Sequence, residues 1–257
     1  MKKIYTLLAL TLSFSMNAQM DDNSPNTNTA GTYAVAMGAG TEASGNYSTS
    51  MGYQTTASGA NSTAMGSRTT ASGNNSTATG YFTTASGNKT TAMGANTTAS
   101  DYGSLVIGQY NSSGSSVTNS ATAFNTSNTA FVIGNGVDSS NKSDAFKVMF
   151  NGDTTVGGDI TISSDARLKS NIVSLGSTLS KLLLIDGKSY EKDGKQGIGV
   201  LAQEIQEVFP ELVTEDGNEM LAVNYQGLVP VLINALKEQD EKINRLEKLV
   251  EKLVANQ

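Results

Sequence analysis

Ser62-Thr63-Ala64-Met65-Gly66 and, after two residues, Thr69-Thr70-Ala71-Ser72-Gly73 spell out the unit that builds the first part of this 257-residue chain. Each piece is short and closes on a glycine, and the pieces recur in phase. Gly38, Gly52, Gly66, Gly80, Gly94 and Gly108 stand fourteen residues apart, and Gly45, Gly59, Gly73 and Gly87 fall halfway between them, until Asp101 breaks the second series. Met37, Met51, Met65, Met93 and Ile107 each stand just before a glycine of the first series. By composition alone a Gly/Ser/Thr/Asn tract reads as a flexible low-complexity segment. A flexible segment, however, has no reason to keep glycine in register over six units. A fixed period marks stacked supersecondary units, each too small to bury its own apolar face. Two strands of about five residues, each turned by a glycine that tolerates positive φ, make one coil of a narrow solenoid.

Successive side chains of a strand face opposite ways. Ala36, Ala64, Ala78 and Ala92 then share the inner face, where a small side chain suits a thin roll, and Met37, Met65 and Met93 share the outer face, suited to a contact between chains. One such roll buries little, so three chains around an axis are expected. The unit resembles the left-handed parallel β-roll head of trimeric autotransporter adhesins, with its A-x-G and A-S-G elements, over Ala34 to Tyr110. Met stands where that family has a branched aliphatic residue before most glycines, and Thr79 does so once. The resemblance carries the head alone, without the membrane β-barrel anchor of those adhesins.

The flanks read differently. Met1-Lys2-Lys3, the apolar run Ile4 to Phe14 and the small residue Ala18 have the pattern of a secretory signal peptide over 1–18. The apolar run is too short for a permanent span. A polar tail over 19–33 follows. Beyond the repeat, 111–163 reads as a spacer and β neck. Ser112 to Thr129 is rich in Ser, Asn and Thr, and 130–136 and 145–152 form a hairpin or β-prism with turns at Asn151-Gly152-Asp153 and Gly157-Gly158. Asp138, Asp144, Asp153 and Asp159 match no calcium loop and read as turn carboxylates. The chain has no Cys and no His, which removes disulfides, thiolate metal sites and the usual general base. Its net charge of -6 argues against nucleic acid as a partner. No metal or cofactor is expected.

Ser163-Ser164-Asp165-Ala166-Arg167-Leu168-Lys169-Ser170-Asn171-Ile172 divides the chain, with repeats upstream and an ordinary mixed domain downstream. It sets a hydroxyl, a carboxylate and an amine close together. A serine needs a base to become a nucleophile, and in a chain without His the candidates are lysine and a carboxylate. A lysine serves only if burial lowers its pKa from about 10.4 to about 7 or 8, against a cost of about 4 kcal/mol. Ser164-Asp165 is equally the start of a helix, its hydroxyl capping an N–H and its carboxylate meeting the dipole.

Downstream the blocks Gly197-Ile198-Gly199-Val200-Leu201-Ala202-Gln203-Glu204, Val208-Phe209-Pro210-Glu211-Leu212-Val213 and Val223-Asn224-Tyr225, then Leu228 and a heptad helix, follow in order. With Ser164-Asp165-x-Arg167-x-Lys169-x-Asn171-Ile172 before them, they resemble the intramolecular chaperone auto-processing domain of phage tail spikes and endosialidases, from Ser163 to the C-terminus. The resemblance implies a domain that trimerises, helps an upstream β-rich fibre to fold, and cuts itself away between Ser164 and Asp165. It implies Ser164 and Lys169 as a serine–lysine dyad, with Arg167 and Asn171 as supporting motif residues.

Local patterns predict a helix over Ala166 to Leu184, a hairpin from Ser189 to Val200 turned at Asp193-Gly194, a short helix from Leu201 to Phe209, and a hairpin from Leu212 to Tyr225. Gly197-Ile198-Gly199 lacks the third glycine and the βαβ context of a nucleotide loop. Val229, Leu236, Ile243 and Val250, with Leu232, Gln239, Leu246 and Leu253, form an a/d seam flanked by Lys and Glu. Its first part, Leu228 to Leu236, can dock on its own domain; Glu238 to Gln257 reads as a three-stranded coiled coil with Gln239 fixing register.

The expected protein is mainly β at its N-terminal part, a trimeric left-handed parallel β-roll, followed by an α+β domain that ends in a trimeric coiled coil. Its segments are a signal peptide over 1–18, a tail over 19–33, a head over 34–110, a spacer and neck over 111–163, a chaperone domain over 164–228 and a coiled coil over 229–257. The expected function is a secreted, cell-surface, homotrimeric adhesin that processes itself once. The alternative is an uncleaved adhesin whose C-terminal domain stays as a trimeric foot. Hydroxyls and amides in flat arrays on the head suit host-surface glycans or matrix proteins as ligands. A glycan-cleaving spike is disfavoured, since Glu42 and Asp101 are the only acids in the repeat.

Overall fold

The computed structural model describes residues 28–192 and 194–256. The signal peptide expected over 1–18 lies outside the described residues. The chain divides into two compact units, with the boundary between Ile162 and Ser163.

The first unit is a β-solenoid of two sheets. Long strands at Val35–Met37, Thr49–Tyr53, Thr63–Ser67, Thr77–Tyr81, Thr91–Ala95 and Leu105–Gln109 stack in parallel. Short strands at Glu42–Ala43, Thr56–Ala57, Thr70–Ala71, Thr84–Ala85 and Thr98–Ala99 stack in a second parallel sheet. The register is a shift of fourteen residues, as Thr63 beside Thr77 and Gly66 beside Gly80 show. Ala57, Ala64, Ala71, Ala78, Ala85, Ala92 and Ala99 are fully buried between the sheets. Along these coils a methyl fills the space between the sheets.

The inner surface carries more than alanine. Thr41, Ser48, Thr55, Ser62, Thr69, Ser76, Thr83, Thr90, Thr97 and Ser104 are also buried, one every seventh residue. Some hydroxyls turn back to the chain three residues earlier: Thr41 donates to Gly38 O at 3.1 Å, Thr90 to Gly87 O at 2.7 Å and Ser104 to Asp101 O at 2.8 Å. The inner repeat is therefore a seven-residue half-coil with Ser or Thr two places before its buried residue.

The solenoid extends past both ends of the expected head. On the N-terminal side, Asn28 N–H bonds Thr41 O and Gly31 N–H bonds Ala43 O, so the expected tail is already part of the stack from Asn28. On the C-terminal side, the expected hairpin forms, Thr129–Asn135 pairing antiparallel with Asp144–Met149 and that strand with Thr154–Val156. Its first strand also lies parallel on Leu105–Gln109, with Val132 beside Val106 in the same buried file as the alanines. The hairpin is thus the end of the nine-stranded solenoid sheet.

The segment read as a spacer is tied to that end by Asp101. This residue is fully buried where the halfway series has glycine, and its carboxylate accepts from Thr118 N–H at 2.6 Å and Thr129 N–H at 2.8 Å. Of the acidic residues weighed for calcium, Asp138 closes a turn onto Ser140 and Asn141, Asp144 accepts from Ser112 and Ser113 N–H groups, and Asp153 bonds Asn151.

The second unit is small and α+β. Hairpins Lys188–Lys192 with Lys195–Gly199 and Val213–Glu215 with Leu221–Val223 accompany three helices: α1, Leu179–Leu182; α2, Ala202–Val208; and α3, Leu228–Ala255. Ile205, Phe209, Leu212 and Val231 form its core, with Leu182, Ile185, Val200, Val223 and Leu228 around them. The helix expected over Ala166 to Leu184 is not formed. Ala166–Leu168 make one 3₁₀ turn, and only Leu179–Leu182 are α-helical. Asn171 and Gly176 take φ of +52° and +71°, which interrupts any helix between them.

Candidate functional site

The residues expected to carry chemistry lie on the exposed irregular segment 163–177 at the start of the second unit. Asp165 caps the 3₁₀ turn, its Oδ1 accepting from Arg167 N–H at 2.9 Å. The same carboxylate takes a forked bond from the Arg167 guanidinium, Nε to Oδ1 at 3.0 Å and Nη2 to Oδ2 at 2.6 Å. That pairing, first through the guanidinium and then through the backbone N–H, holds the Asp165 carboxyl below the usual carboxylate range. The capping role anticipated for Ser164-Asp165 thus falls to the carboxylate.

The turn ends at Lys169, whose N–H bonds Ala166 O at 3.1 Å. One turn between Asp165 and Lys169 reverses the chain far enough to bring the lysine back over the serine. Lys169 Nζ donates to Ser164 Oγ at 2.7 Å. The sequence distance of five is spanned by the turn, and nothing more distant is needed to assemble the pair. Asn171 stands two residues beyond, on left-handed backbone. Residues 163–177 are all exposed, and so are Leu168, Ile172, Val173 and Leu175 among them.

Sequence reasoning missed the residue that anchors this segment. Glu238, on α3, accepts from Ser177 Oγ at 2.7 Å, from Thr178 N–H, and from Leu179 N–H at 3.2 Å, so its carboxylate caps α1. Thr178 is buried, and its hydroxyl donates to Val231 O at 3.0 Å. The Ser177 hydroxyl, and after it the Thr178 N–H, hold the Glu238 carboxyl below its ordinary value. Glu238 looks like any other heptad-helix glutamate, and its partners are 59–61 residues away, so no local pattern marks it. Lys188 makes a second anchor, bonding Asp186 at 3.0 Å and Glu204 at 3.1 Å, and both carboxylates raise its pKa.

Helix α3 presents two apolar faces. Leu228, Val231 and Ala235 face the core, with Val231 and Ala235 buried. The seam residues Val229, Leu232, Leu236, Ile243, Leu246, Val250 and Leu253 are exposed in the single chain. At 3.6 residues per turn Val229, Leu232 and Leu236 point about 100° away from Leu228, Val231 and Ala235, so docking leaves the seam open.

Residues 164–214 match the family model described as chaperone of endosialidase. Upstream of this chaperone-type domain, residues 30–55, 43–69, 57–83 and 85–111 match the YadA head domain repeat. Among curated proteins the chain is similar to the long tail fiber protein Gp37 of Enterobacteria phages K3 and T2, 36% identical over 100 residues. It is also similar to Gp37 of Salmonella phage S16, 31% identical over 108 residues. The matches cover 35% of this chain and 8% of the K3 and T2 proteins, and 37% of this chain and 14% of the S16 protein. Among the described residues no helix is long and apolar enough to cross a membrane.

Proposed function

We propose that this chain is a secreted, homotrimeric, adhesin-like fibre protein whose chaperone-type domain drives assembly and then cuts itself off between Ser164 and Asp165. The observation that carries the reading is the 2.7 Å contact of Lys169 Nζ with Ser164 Oγ. In this reading the segments are those of the sequence analysis: leader, tail, head, neck, chaperone domain and coiled coil. Parallel β-solenoids depend on non-local pairing and fold slowly. The open seam of α3 gathers three chains as a coiled coil, which raises the local concentration of the necks and sets their register.

Assembly covers the exposed segment, and desolvation takes the proton from the lysine ammonium. The lysine amine then accepts the Ser164 hydroxyl proton while the oxygen attacks a carbonyl carbon. Attack on its own carbonyl would close a strained four-membered ring; attack on the Ser164–Asp165 bond of a neighbouring chain avoids it. The C–N bond breaks, the Asp165 amine takes the proton from the lysine, and water hydrolyses the ester. A serine that only positions the attacking water gives the same products. Because burial switches the base on, cleavage reports completed assembly, and the released fibre is held by a kinetic barrier.

Intact mass under denaturing conditions tests this. Two fragments meeting at Ser164 and Asp165, absent from Ser164→Ala and Lys169→Ala, are expected. A folded trimer that stays uncut sinks the catalytic reading. It leaves the second one, a permanent trimeric foot, which is favoured by the commitment of Asp165 to its cap and to Arg167.

A further inference from the structure

Every seventh residue of the solenoid turns through left-handed backbone. One ladder of these positions runs Gly40, Gln54, Arg68, Phe82, Asn96, Tyr110, with φ from +42° to +67°. Gly and Asn accept that conformation readily; Arg and Phe do not. Left-handed backbone at bulky residues is a feature of functional sites when nothing in the fold demands the side chain.

Here the side chains make a cluster. Register places Tyr53, Ser67 and Tyr81 on successive coils, each followed by one of the ladder residues Gln54, Arg68 and Phe82. The Arg68 guanidinium lies 4.9 Å from the Phe82 ring centroid and 6.0 Å from that of Tyr53. Its Nε donates to Gln54 Oε1 at 2.9 Å, and Tyr81 meets Phe82 edge-on at 4.6 Å. Tyr53, Tyr81 and Phe82 are 48%, 49% and 40% exposed, and Arg68 is exposed with them. A guanidinium close to two rings and held through Nε keeps the planar fork that matches a carboxylate.

Charge selects the same partner. Residues 34–110 contain two cations, Arg68 and Lys89, and two acids, Glu42 and Asp101. Asp101 is buried and engaged with the Thr118 and Thr129 N–H groups, so the exposed balance of this region is positive in a chain of net charge -6. Around the cluster lie hydroxyls and amides, among them Gln54, Ser67 and Asn96. Aromatic faces for sugar rings, an arginine fork for a carboxylate and polar groups for hydroxyls define one ligand class.

We propose that this edge of the solenoid, centred on Arg68 between Tyr53 and Phe82, binds an oligosaccharide bearing carboxylates, of the uronic-acid type. This rests on the reading of the solenoid as the ligand-facing part of the fibre. The test is titration calorimetry of the full chain with a hyaluronate hexasaccharide and a mannuronate hexasaccharide, each beside its carboxyl-reduced form. At least one acidic oligosaccharide binds, with affinity more than tenfold weaker after carboxyl reduction and more than tenfold weaker for Arg68→Gln. Phe82→Asn loses affinity while melting no lower than the parent, since Asn suits the backbone there. Equal binding of the reduced sugar, equal binding by Arg68→Gln, or no binding of either acid overturns the proposal. So does dissociation of the oligomer by Arg68→Gln in sedimentation, which would make the cluster a contact between copies of the chain. Fragment masses of the same variants separate this outcome from the self-processing reading, because a chain that never cuts can still bind and a chain that never binds can still cut.

Discussion

Gly59 and Gly152 differ in what a side chain would meet. A Cβ at Gly59 would overlap the carbonyl oxygen of Gly73 on the next coil, whereas Gly152, at φ +89°, has nothing within 4 Å. Gly59→Ala should therefore cost about 2–4 kcal/mol, through displaced backbone. Gly152→Ala should cost about 1–2 kcal/mol, through its dihedral alone; denaturant titration of the solenoid distinguishes them. Asp101→Ala removes the acceptor of two N–H groups at a buried position and should cost about 2–5 kcal/mol. Glu238 supplies a pH signature. Its carboxyl is held below the ordinary value in the folded chain, so its stabilisation is complete above the unfolded pKa of about 4.3 and disappears as pH falls through the lower folded one. Glu238→Gln should loosen the 177–179 segment in hydrogen exchange at neutral pH and match the parent once the carboxyl is protonated.

Helix α3 shows how one element serves two packings. Its 28 residues make a rod of about 42 Å, and only its first turns carry the residues that dock on Ile205 and Phe209. The remainder has no core to join within its own chain. Leu246→Asp should thus leave the docked part folded, with unchanged near-ultraviolet signal from Phe209 and its neighbours, yet reduce a trimer to monomer in sedimentation equilibrium. A seam that stays trimeric with Asp in it would show that the helices do not meet there. The irregular segment 163–177 is the reverse case. Its leucines and isoleucine have helical spacing, but Asn171 and Gly176 turn left-handed and Glu238 fixes its far end. Tertiary anchoring overrides the periodicity.

At the scale of the molecule, two compact units separated at Ile162 and Ser163 should melt separately. Calorimetry of the uncut Ser164→Ala chain should show two transitions, with Gly59→Ala shifting one and Glu238→Gln the other. A single transition moved by both would contradict their independence. The solenoid was legible because each coil repeats the last: the glycine phase, the alanine files and the fourteen-residue register follow from one unit. The contact of Lys169 with Ser164 is likewise local, since one turn spans the five residues between them. The buried Ser/Thr file could have been read from its spacing of seven, since polar residues two places before Ala43, Ala57, Ala64 and Ala71 recur without exception. Asp101 could be seen only as a break in the glycine series, because the N–H groups that it satisfies, on Thr118 and Thr129, lie 17 and 28 residues away. Local chemistry repeated along the chain thus determined the solenoid, the turn at the junction and the heptad helix by itself. Only the tertiary structure decided where the solenoid ends, that 169–177 is not helix, and which face of α3 docks, because each depends on hydrogen bonds or packing between residues far apart in sequence, whose energies no local period encodes.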